Sequence, residues 1–116
     1  MKIIQVINAM ISNPDLITNV VKNQHEYFFL YNLKHKWSIS IDDDGEYYLN
    51  IYPTENPNFD VLATYNGDWT QINYVSYNTK ELKTNEALES FSELYKIVSD
   101  RLLGIDEIFD DILQGF

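Results

Sequence analysis

The sequence predicts an α+β domain with an N-terminal helix, an antiparallel β-meander of about five strands, and C-terminal helices packed on the sheet. Three observations predict it. Apolar residues recur at helical spacing near both ends of the chain, whereas from Glu26 onward the hydrophobic period falls to two. Turn residues, Asp43-Asp44-Gly45 and Asn66-Gly67, separate the alternating runs. At 116 residues, with 45% hydrophobic and 15% aromatic side chains, the chain has the length and the apolar content of one packed domain spanning 1–116.

Each element has its own justification. Ile3, Ile4, Val6, Ile7, Met10 and Ile11 step along one helical stripe. Asn13-Pro14-Asp15 reads as a helix cap, a proline in the first turn and an acid at the positive end of the dipole. The opening is therefore expected to be two short helices, or one helix kinked near Ser12, that ends near Asn23 after Leu16, Ile17, Val20 and Val21. In Lys36–Asp42 and Glu46–Tyr52 the odd positions Trp37, Ile39, Ile41, Tyr47, Leu49 and Ile51 are apolar. A three-residue loop at 43–45, with Gly45 supplying the left-handed conformation, pairs Ile41 with Tyr47, Ile39 with Leu49 and Trp37 with Ile51.

A four-residue loop over Asn32–His35 is expected to pair Leu30 with Trp37 and Phe28 with Ile39. Asn66-Gly67 is the strongest short hairpin signal, joining a strand at 59–65 to one at 68–77 with Val61 opposite Ile72 and Phe59 opposite Tyr74. Thr84 or Asn85 then caps a helix along Leu88, Phe91, Tyr95, Val98 and Leu102, which Gly104 terminates. A last helix from about Ile105 to Gln114 sets Ile108, Phe109, Ile112 and Leu113 against Asp106, Glu107, Asp110 and Asp111.

Charge excludes several function classes. With 18 acids against 8 bases the net charge is -10, which repels nucleic acid and anionic membrane surfaces. Residues 41–70 hold seven acids and no base, and residues 85–116 hold eight acids against Lys96 and Arg101. There are no cysteines, so disulfides, thiolate chemistry and cysteine-ligated metals are absent. No run of 18 apolar residues exists, and the opening segment lacks the pattern of a secretory leader, so a cytoplasmic location is expected.

No residue set reads as catalytic, metal-binding or cofactor-binding. Ser40–Gly45 resembles the start of a calcium loop, but Ile51 stands where a bidentate glutamate is needed. His25 and His35 have no zinc-ligand spacing. Gly45, Gly67, Gly104 and Gly115 stand alone, too sparse for a phosphate cradle. The expected protein is thus not an enzyme, and no cofactor is expected.

Two surfaces carry the functional expectation. One is acidic: Asp42, Asp43, Asp44, Glu46, Asp60 and Asp68, together with Asp106, Glu107, Asp110 and Asp111 on the last helix. The other is aromatic: with Trp37, Ile39 and Ile41 facing the core, Tyr27, Phe29, Tyr31, Tyr48 and Tyr52 share the opposite face of the sheet. That face is either a second core layer under a helix or an interface, including one with a second copy in a homodimer. The apolar stripe of the last helix either packs on the protein's own sheet or docks in a partner's basic-lined groove.

The leading expectation is a non-enzymatic module that engages a basic protein partner, as an inhibitor, an immunity-type partner or a nucleic-acid mimic does, without binding nucleic acid or membrane itself. The alternative is a dimeric peptide-binding or small-ligand-binding domain. The order helix, three strands, two strands, helix is similar to the layout of small acidic secretion-chaperone-like domains, although those place a helix between the third and fourth strands.

Overall fold

The computed structural model describes residues 1–53, 58–63, 67 and 72–115, with the side chains of Asp60, Ala63, Ile105 and Asp106 outside that description. Helix α1, Lys2–Ser12, buries Ile3, Ile4, Ile7 and Met10. Its end is closed by Asn13, whose Nδ2 donates to the carbonyl of Ala9 at 2.9 Å, and by Pro14, which opens a short 3-10 turn over Pro14–Leu16. The second helical segment expected here is instead strand β1, Ile17–Asn23. Ile17, Thr18, Val20 and Val21 are β-branched, and their restricted χ1 favours a pleated surface over a helix. The helical spacing survives in the sequence because a bulge, with Asn19 at φ 57°, breaks the alternation between Thr18 and Val21.

Strands β2 (Glu26–Tyr31), β3 (His35–Ile41), β4 (Tyr47–Tyr52) and β5 (Val75–Asn78) complete one antiparallel sheet in the order β1-β2-β3-β4-β5. The β3–β4 hairpin has the expected register, with Ile41, Ile39 and Trp37 opposite Tyr47, Leu49 and Ile51, and Gly45 sits in its turn at φ 83°.

The β2–β3 register differs from the expected one by a single residue. The loop holds three residues, with Asn32 and Leu33 at φ 56° and 61° and the amide of Lys34 donating to the carbonyl of Tyr31 at 3.3 Å. Tyr31 therefore pairs with His35, Phe29 with Trp37, and Tyr27 with Ile39. A one-residue slip exchanges the faces of a strand, so Tyr27, Phe29 and Tyr31 lie on the helix-covered face, and Phe28 and Leu30 on the other.

The expected strand at 59–65 is overturned over its described part by helix α2, Phe59–Ala63. Asn58 caps it, accepting from the amide of Val61 on Oδ1 at 3.0 Å and from the amide of Leu62 on its carbonyl at 3.1 Å. Helical spacing turns Phe59 and Leu62 inward together and leaves Val61 exposed, so the pairings Val61–Ile72 and Phe59–Tyr74 do not occur. Residues 64–66 and 68–71 lie outside the described residues, and with them Asn66 of the expected Asn66-Gly67 hairpin and Asp68. Strand β5 pairs with β4, placing Val75 opposite Ile51 and Tyr77 opposite Leu49.

After a short helix α3, Thr79–Leu82, Thr84 caps the long helix α4, Asn85–Leu103, by accepting from the amide of Ala87 at 3.0 Å. Its buried stripe is Ala87, Ser90, Phe91, Leu94 and Val98. Leu88 and Leu102, expected on that stripe, are exposed, because the helix is rotated to send Ala87 and Leu94 into the core. Helices α1 and α4 cover one face of the sheet, over Ile17, Phe29, Trp37, Ile39 and Leu49. Helix α2 covers part of the other face, over Phe28 and Tyr52. Each fully buried large side chain on these faces contributes roughly 1.5–3 kcal/mol.

Candidate partner-binding surface

Two of the hairpin acids serve the fold. Asp42 Oδ1 accepts the amides of Asp44 and Glu46 at 2.9 Å each, and Tyr48 donates its hydroxyl to Oδ2 at 3.1 Å. The amide of Glu46 and its companions hold the Asp42 carboxyl below the usual carboxylate range, and the bond to Asp42 in turn raises the Tyr48 phenol. Glu46 Oε2 accepts from Thr79 Oγ1 at 2.6 Å, and the same Oγ1 accepts the amide of Tyr47 at 2.9 Å, stitching the turn to the start of α3. Asp43 and Asp44 are exposed at the tip. Asp42 and Asp43 also line an open polar cleft of about 370 Å³ between this tip and the β1–β2 turn, with His25, Glu26 and Tyr48 in its wall.

On the α2-covered face, three donors converge on one carboxylate. Ser38 Oγ donates to Glu26 Oε2, Asn50 Nδ2 donates to the same oxygen at 3.1 Å, and Tyr52 donates to it at 3.5 Å. Asn50 Nδ2 also donates to Ser38 Oγ at 3.1 Å, while the Tyr52 hydroxyl lies 2.8 Å from it. Burial, reinforced by the negative charge of Glu26, pushes the Tyr52 phenol far above its ordinary range, so it stays a neutral donor. Ser38 is fully buried, and this constellation binds three strands together. Sequence reasoning missed Glu26 because the expected register, with Leu30 opposite Trp37 and Phe28 opposite Ile39, sent even-numbered β2 residues to the core face.

The aromatic residues do not form one surface. Phe29 is fully buried in the main core, and Tyr27 packs edge-on to Tyr95 at 5.5 Å on that same face. Tyr31 is half-buried beside the same core. Tyr52 is buried in the second core layer, 6.0 Å from the ring of Phe28, and Tyr48 is tied to Asp42. The register slip, which moved Tyr27, Phe29 and Tyr31 across the sheet, is the physical reason.

The last helix presents what the sheet does not. Helix α4 ends at Gly104, at φ 67°, and Arg101 ties that end to the α1–β1 junction by donating to the carbonyl of Pro14 at 2.9 Å and to Asp15 Oδ1 at 3.1 Å. Helix α5, Ile105–Gln114, follows, with α4 as its main neighbour. Ile108, Phe109, Ile112 and Leu113 are 50, 57, 60 and 69% exposed, and Glu107, Asp110 and Asp111 are exposed beside them. An apolar stripe on a ten-residue helix is thereby left in water, where such a helix is marginal on its own. Asp60 and Asp106 lie on described backbone, in α2 and α5, with side chains outside the description.

Among the described residues no group of three or more histidines and acids could hold a metal ion, and no helix is long and apolar enough to cross a membrane. The chain matches no protein-family model, no curated protein and no solved structure.

Proposed function

We propose that this protein is a non-enzymatic acidic module that binds a basic protein partner through helix α5. The single observation that supports the reading is the exposure of Ile108, Phe109, Ile112 and Leu113 on a helix whose charged residues are all acids. Apolar anchors at i, i+1, i+4 and i+5 fit a groove, and their acidic flank favours a groove rimmed by lysine and arginine. Asp110 and Asp111 lie near the negative end of the helix dipole, where each costs a few tenths of a kcal/mol, so local helix stability does not account for them. Self-association of α5 along this stripe would crowd like charges from both copies, which disfavours a second copy as the occupant.

Affinity capture with the wild type and with Phe109→Ala, eluted by a salt gradient, tests the reading. Basic proteins retained by the wild type at low salt, released as salt rises, and lost from Phe109→Ala are the expected result. An identical captured set from both proteins would overturn it.

A further inference from the structure

We propose that the free edge of strand β5 is a dimerisation site, at which the β5 of a second copy pairs antiparallel about a two-fold axis and joins two five-stranded sheets into one. Strand β5 stands last in the sheet order and pairs on one side with β4, and among the described residues no strand pairs with its other side. Tyr74, Val75 and Ser76 are exposed in succession, Val75 at 48%. The two edges of the sheet differ in how they are guarded. Strand β1 carries a bulge at Asn19 and a lysine, Lys22, two of the devices with which edge strands deter pairing. Strand β5 has neither, since it follows β4 residue for residue, and residues 69–79 hold no charge and no proline.

The chemistry of an open edge selects its occupant in two steps. Its outward N–H and C=O groups alternate along the strand, so only another extended backbone satisfies them in series. Charge then selects the sequence on that backbone. An acidic segment meets a chain of net charge -10, and a basic one meets Lys80 and Lys83, both exposed just beyond β5. A neutral strand meets neither penalty, and β5 is itself neutral. The acids of α5, which disfavour a second copy there, have no counterpart within residues 69–79. Val75 and Tyr77 share one face of the sheet, opposite Ile51 and Leu49. Pairing with Ser76 opposite its own counterpart sets Val75 of each copy against Tyr77 of the other, a β-branched and aromatic pair of the kind that stabilises antiparallel sheets.

Sedimentation equilibrium from about 10 µM to about 1 mM is the test. A contact through four strand residues falls below the standard interface size, and the dissociation constant is expected on the order of 0.1 mM. The expected result is a mass that climbs from one copy toward two, with slower amide exchange over residues 74–78 at the higher concentration. Val75→Lys, which adds the missing guard at an exposed position, is expected to weaken the dimer at least roughly tenfold. Ser76→Lys takes its place if circular dichroism shows Val75→Lys unfolded. Phe109→Ala is expected to leave the dimer unchanged, which separates this edge from α5. A single-copy mass up to about 1 mM, association undiminished in a folded lysine variant or lost in Phe109→Ala, or β5 amide exchange that ignores concentration would overturn the assignment.

Discussion

Phe91→Ala and Phe109→Ala are the same chemical change at opposite depths, and the pair separates core from exposed helix. Phe91 is fully buried in the main core, where truncation of a phenylalanine costs about 3–5 kcal/mol through lost transfer energy and the cavity left behind. Phe109 is 57% exposed, so less than half of that transfer energy is at stake and no enclosed cavity forms. Alanine also returns about 0.5 kcal/mol of helix propensity. The expected cost at Phe109 is therefore below about 1 kcal/mol. At roughly 4 °C per kcal/mol for a chain of this size, Phe91→Ala lowers Tm by more than about 10 °C and Phe109→Ala by a few degrees at most. Urea titration followed by circular dichroism measures both, and an unchanged m-value confirms that the same surface is exposed on unfolding. A Phe109→Ala loss equal to that of Phe91→Ala would place α5 in the core and withdraw it from partner binding.

Three further outcomes follow from the geometry. The Tyr52 phenol titrates higher in the folded chain than in the unfolded one, so its contribution is fully present below about pH 10 and declines above it, as the unfolded chain loses that proton first; Tyr52→Phe should flatten the alkaline fall of stability, measured as urea midpoints from pH 9 to 11. Leu33→Gly should raise stability by up to about 1 kcal/mol, because it relieves a left-handed leucine that is 73% exposed; a loss would show that this turn is not strained. Thr84→Ala should cost about 1 kcal/mol through the lost cap on Ala87, and Thr84→Ser should restore most of it in thermal melts.

The elements most legible in the sequence were those whose local signals agreed. The β3–β4 hairpin had strict alternation on both strands and a glycine where the turn needs positive φ. The Thr84 cap and the Gly104 stop bounded α4 in the same way. Helix α2 was not legible because Phe59, Val61 and Leu62 fit a strand as well as one helical turn, and Asn58 decides only once it is seen to cap. Strand β1 was hidden by its own bulge. Of the candidate surfaces, the acidic apolar helix α5 was readable from its pattern, but its exposure was not, since periodicity says which residues share a stripe and not what covers it. The aromatic surface failed with one register, as Tyr27-Phe28-Phe29-Leu30-Tyr31 is apolar on both faces and alternation there carries no information.

That ambiguity gives the Glu26 network a role in folding fidelity. If β2 slid by one residue, Phe28 and Leu30 would replace Phe29 and Tyr31 on the helix side, apolar for apolar, and hydrophobic burial would hardly distinguish the two sheets. Glu26 would distinguish them, since the slide carries its carboxylate away from Ser38, Asn50 and Tyr52 and under the helices, where an unpaired charge is costly. Its donors come from β3 and β4, so the carboxylate is satisfied only when three strands have met in one alignment. One glutamate thus acts as a checkpoint on assembly, making misaligned sheets dear rather than merely making the correct one stable.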